Sequence, residues 1–121
     1  MTSTRERLLT EAERLFAERG FYGGSIAAVS TELGLTKQAL LHHFGSKEKL
    51  YAEVLKRISA HLGSLAVPTD SDIANPQQAL TDYLIRIAKN AREEPHQMSL
   101  IMRELLDNQE RADIVQSWFL G

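Results

Sequence analysis

Residues 33–50 of the chain read LGLTKQALLHHFGSKEKL. The dipeptide Gly34-Leu35 is the whole connection between two segments with helical spacing. Before it, Ile26, Val29 and Leu33 recur on one face, with Ser25 as a cap and Gly34 as a terminator. After it, Thr36 can cap a segment that turns Ala39, Leu40 and His43 or Phe44 inward. Two short helices joined by so tight a glycine turn must cross steeply, which predicts a helix-turn-helix. Gly45-Ser46 then breaks the chain again. Ser46 can cap a fourth helix carrying Leu50, Val54, Leu55, Ile58 and Leu62. At 1.5 Å per residue this rod measures roughly 25 Å, long enough to link two modules.

On the N-terminal side, Leu8, Leu9, Ala12, Leu15 and Phe16 form one helical stripe. It predicts a first helix over 4–19, a left-handed cap at Gly20, and Phe21 folding back onto the last turn. On the C-terminal side, residues 63–75 (GSLAVPTDSDIAN) are small, polar and without a stripe. Asn75-Pro76 reads as a cap followed by proline at the first helical position. Leu80, Tyr83, Leu84, Ile87, Ala88 and Ala91 follow at helical spacing until Pro95. A further helix carries Met98, Ile101, Met102, Leu105 and Leu106, and another begins around Ile114, Val115 and Trp118. The expected fold is all-α: a three-helix helix-turn-helix unit (1–46), a connecting helix (47–62), and a further helical unit (63–121).

Composition narrows the function classes. The 121 residues are 43% hydrophobic and 25% charged, the balance of a globular domain rather than a disordered chain. No apolar run approaches the roughly 18 residues that span a bilayer. The start MTSTRERLLTEAERLF alternates charge with leucine, unlike a secretory signal. Cysteine is absent, which excludes thiol catalysis and disulfide scaffolds and suits a cytoplasmic location. Residues 1–62 hold nine Lys/Arg against seven Asp/Glu, and residues 63–121 hold five against nine. A net +2 in front and −4 behind places any contact with nucleic acid in the front half.

In a helix-turn-helix the second helix enters the major groove and shows its first turn to base edges. The outward residues there are Thr36, Lys37 and Gln38, with Leu41 and His42 one turn on. Gln38 can pair with adenine, Lys37 can reach guanine or phosphate, and the Thr36 hydroxyl can bond phosphate. The N–H groups that open the second and fourth helices suit anions. Ser25 and Ser46 sit there, with Lys47 and Lys49 beside the second.

These residues carry a family resemblance. The chain resembles the TetR family (tetracycline-repressor-like regulators) in Leu9-x-x-Ala12-x-x-Leu15-Phe16-x-x-x-Gly20-Phe21, in Ser25-Ile26-x-x-Val29, and in Leu33-Gly34-Leu35-Thr36-Lys37-x-x-Leu40-x-x-His43-Phe44-x-Ser46-Lys47-x-x-Leu50. The stretch HHFGSKEKLY is the most specific part. The resemblance implies that 1–46 is a DNA-binding domain whose third helix reads DNA, that Lys47 holds a phosphate, that the fourth helix transmits ligand occupancy to the head, and that 63–121 is an incomplete helical ligand-binding and dimerisation domain. Two features depart from the family pattern. Leu41 stands where a DNA-contacting tyrosine is usual, with His42 as the substitute, and Ser30 and Leu33 replace small alanines. The chain is also shorter than is usual in the family, so a dimer would use the apolar stripes of its last helices.

The expected site residues are therefore Lys37, Gln38 and His42 for bases, and Ser25, Thr36, Ser46, Lys47 and Lys49 for phosphates. The resemblance implies a small-molecule effector held among Tyr83, Met98, Met102, Trp118 and Phe119; periodicity alone reads these as core. The expected partner is palindromic double-stranded DNA bound by a homodimer, with no cofactor and no membrane. His42, His43, His61 and His96 include no i, i+4 pair, so no metal is expected. His43 is expected to pack on the core, and His96 to lie in a loop or first turn. Glu93 and Glu94 are adjacent and point apart on a helix, so no enzyme is expected. The alternative is a helical protein–protein adaptor that keeps the fold without binding DNA.

Overall fold

The structure is a computed structural model, described over residues 2–65 and 74–107. These residues form six helices: α1 (Thr4–Gly23), α2 (Ile26–Glu32), α3 (Lys37–Phe44), α4 (Lys47–Ser64), α5 (Pro76–Glu93) and α6 (Pro95–Asp107). Among the described residues there is no strand.

The helix starts follow from side-chain chemistry. Ser3, Ser25, Thr36 and Ser46 each accept from the backbone N–H three residues on, which satisfies an otherwise unpaired donor. Asn75 does the same for Gln78 at 3.2 Å, with Pro76 at the first helical position. Each such cap contributes about 1 kcal/mol.

α1 runs past the expected end at Arg19. It kinks at Gly20, whose φ of 74° is open to glycine and strained for other residues, and adds a final turn to Gly23. The kink folds Phe21 back as expected, 6.3 Å from the Phe16 ring and 4.9 Å from the Tyr51 ring. Gly34, at φ 69°, makes the turn between α2 and α3 in the same left-handed region.

Leu8, Phe16, Val29, Leu40, Leu50, Val54, Ile58 and Leu100 are fully enclosed in one cluster drawn from α1, α2, α3, α4 and α6. Burying one such side chain contributes about 1.5–3 kcal/mol. α6 contributes through a different face than its apolar spacing suggests. Leu100, Ile101 and Glu104 are buried, whereas Met102, Leu105 and Leu106 are exposed. The polar Glu104 disguised this face in the sequence, yet its carboxylate accepts a hydrogen bond from the Tyr51 hydroxyl of α4. α5 is covered on Tyr83, Ile87 and Ala91 only in part, while Leu80, Leu84 and Ala88 are exposed. Its buried residue is Asn90. The helix expected around Ile114 lies outside the described residues.

Candidate nucleic-acid interface

Each predicted contact residue stands in the first or second turn of its helix or in the cap before it. Lys37, Gln38 and His42 are exposed on α3, as are Thr36 at its cap and Ser25 at the cap of α2. Ser46 and Lys47 are half-buried at the start of α4, and Lys49 is exposed. α3 is held from behind by Leu40 and Phe44.

The cap hydroxyls keep chemistry to spare. Ser25 Oγ accepts from Ala28 at 3.0 Å, Thr36 Oγ1 from Ala39 at 3.1 Å and Ser46 Oγ from Lys49 at 3.1 Å. A hydroxyl that accepts through a lone pair still carries its own O–H. The cap fixes the oxygen, and the proton remains available to an incoming anion. Lys47 is positioned differently. Its ammonium lies 4.5 Å from the centre of the Phe21 ring, a cation–π contact with the folded-back end of α1. Across the head, Arg5 donates to Glu53 at 3.0 Å and lies 5.0 Å over the Phe44 ring. That contact braces the end of α3 against α1.

Two α3 side chains differ from expectation. Leu41 is half-buried and packs on the core rather than facing out, and His43 is exposed rather than packed. The two differences have one cause. Leu40, Leu41 and Phe44 share an arc, and once Leu41 belongs to it His43 falls outside its flank while His42 stands opposite. Grouping the three apolar residues would have shown this in the sequence. His42 and His43 stand as neighbours, their ring centres 6.0 Å apart. Sequence reasoning thus missed His43 as a surface candidate, and it gave no hint that Phe21 seats Lys47.

Beyond the head, Tyr83 and Met98 are half-buried and Met102 is exposed. Trp118 and Phe119 lie outside the described residues. His96 sits half-buried in the first turn of α6. Among the described residues no helix is long and apolar enough to cross a membrane.

Residues 8–54, from α1 into α4, match the bacterial regulatory proteins of the tetR family. This stretch of the chain belongs to the tetR family. The match contains every residue assigned above to DNA. The chain is similar to the HTH-type transcriptional repressor NicS of Pseudomonas putida, 36% identical over 81 residues, which are 67% of this chain and 38% of that protein. The HTH-type transcriptional repressor BdcR of Escherichia coli is 31% identical over 86 residues, covering 71% of this chain and 42% of that one. A solved linker-substituted mutant of HlyIIR superimposes with a TM-score of 0.80 at 29% identity, over 98% of this chain and 63% of that one. The chain therefore spans about two fifths of the length of these curated relatives.

Proposed function

We propose that this tetR-family chain is a transcriptional repressor that binds operator DNA through α3. The observation that carries the reading is the outer side of α3. Lys37, Gln38 and His42 are exposed there while Leu40 and Phe44 anchor the helix from behind. A helix held this way can present rigid donors to base edges. In this reading Gln38 and Lys37 read bases and His42 joins them one turn on. Ser25, Thr36, Ser46, Lys47 and Lys49 hold phosphates, which set register without reading sequence. That NicS and BdcR are transcriptional repressors by name supports the direction of control.

The division of labour follows the same line: 1–46 as the DNA-binding unit, 47–62 as the connecting helix, and 63–121 as part of a ligand-binding and dimerisation unit. A two-fold dimer would place two α3 helices on the halves of a palindrome. A small-molecule effector would be held around Tyr83, Met98 and Met102, with Trp118 and Phe119, and would release the DNA.

The test is selection of a duplex from a random pool, followed by titration at several salt concentrations. The reading expects a symmetric preferred site and an affinity that falls steeply with salt, because each neutralised phosphate contributes about −0.9 to the log–log slope. Equal binding to selected and random duplexes would overturn it.

A further inference from the structure

Tyr22 is 84% exposed, more than any other large hydrophobic residue among those described. A phenol ring left in water forgoes the stabilisation of burial, so packing does not account for its place. We propose that Tyr22 is a further contact to the DNA backbone, donating its phenol O–H to a phosphate of the strand that Lys47 grips. The inference rests on the reading of the head as a DNA-binding unit.

The Phe21 ring is what brings the two residues together. It is anchored inwards by two buried rings, Phe16 at 6.3 Å and Tyr51 at 4.9 Å. The same ring carries the Lys47 ammonium at 4.5 Å and the Tyr22 ring, edge-on, at 5.2 Å. Lys47 opens α4 and Tyr22 belongs to the end of α1, yet one phenyl ring seats both. A strand whose phosphate is held by the ammonium passes beside the phenol. Tyrosine hydroxyls are among the groups that bond phosphate oxygens and so set register without reading sequence.

The backbone under Tyr22 is fixed at both ends. Gly20 turns it at φ 74°, and the Gly24 N–H closes it by donating to the Gly20 carbonyl at 3.1 Å. Gly24 is buried against the Phe16 ring. A closed turn therefore sets where the phenol stands. Charge favours the approach of a phosphate as well. Glu18, one turn earlier in the chain, is paired with Arg14 at 3.0 Å, which offsets its repulsion.

Fluorescence anisotropy with labelled preferred and random duplexes, at three salt concentrations, tests the assignment on the whole chain and two variants. Tyr22→Phe keeps the ring and removes only the donor. It should bind every duplex about tenfold more weakly, with an unchanged salt slope, because a neutral donor displaces no counterion. Tyr22→Lys returns a donor and adds a charge. It should recover affinity at low salt and steepen the slope by about one unit. Unchanged affinity in Tyr22→Phe, a loss confined to the preferred duplex, a lowered urea midpoint in that variant, or an unchanged slope in Tyr22→Lys would overturn the proposal. A parent chain that binds preferred and random duplexes equally would overturn base reading by α3 alone, since the variants still report on Tyr22. A parent chain that binds no duplex would overturn both.

Discussion

The Lys47 ammonium sits 4.5 Å from the centre of the Phe21 ring, so the start of α4 is tied to the folded-back end of α1. A cation held over an aromatic face keeps its full charge and most of its donors. It is placed in advance, and little side-chain freedom remains to be lost when a phosphate arrives. In the proposed reading this is why a single lysine matters in a front half, residues 1–62, with a net charge of only +2.

Replacing Lys47 with alanine should therefore weaken all duplexes alike. The salt slope should fall by about one unit, with no change in sequence preference. Binding isotherms at three or more salt concentrations on preferred and random duplexes would show it. A selective loss on the preferred site alone would assign Lys47 to base reading instead.

Gln38→Ala should behave in the opposite way. The loss on the preferred duplex is expected to be about 1–3 kcal/mol, with discrimination relaxed at one base position per half-site. Affinity for random DNA should stay unchanged. A panel of single-base variants of the site gives the readout.

The close approach of Gly24 to Phe16 makes a stability prediction. A Cβ placed on Gly24 would lie 2.7 Å from the Phe16 ring, which is itself fully buried. Gly24→Ala should destabilise the fold by about 1–3 kcal/mol through overpacking. Urea unfolding would report a lower midpoint at unchanged slope, and an unaltered midpoint would contradict the packing described here.

The hydrogen bond from Tyr51 to Glu104 joins α4 to α6 inside the core. Tyr51→Phe and Glu104→Gln should each destabilise the protein. Their combination should cost less than the sum of the two, with a coupling of about 0.5–3 kcal/mol. Additive losses in thermal or urea unfolding would mean that the two groups do not act as a pair.

Thr36→Ala removes the cap of α3 and one proposed phosphate donor together. It should cost about 1 kcal/mol of stability. Thr36→Ser keeps the cap oxygen and its O–H, and should restore both stability and DNA affinity. If serine restored stability without affinity, the hydroxyl would be a cap alone.

Most of the head was legible in residue order. Ser25, Thr36 and Ser46 mark helix starts because a side-chain oxygen satisfies a backbone donor within three residues. Gly20 and Gly34 mark the breaks because their positive φ is strained for other residue types. These are local facts, carried by a residue and its near neighbours in the chain, and with them come the helix-turn-helix and the exposed Lys37 and Gln38. Leu41 and His43 lie at the margin of that knowledge, since a short helix offers few apolar residues with which to centre its buried arc.

What sequence order could not supply was the meeting of surfaces far apart in the chain. Which side of α6 is covered depends on α1 and α4, so Leu100 and Glu104 are buried while the more apolar-looking Met102 and Leu106 are exposed. The same holds for Phe21 beneath Lys47 and for Arg86 beside the end of α4. A helix start is fixed by bonds spanning three or four residues. A buried face is fixed by the partner helix that happens to cover it, and that choice belongs to the folded molecule.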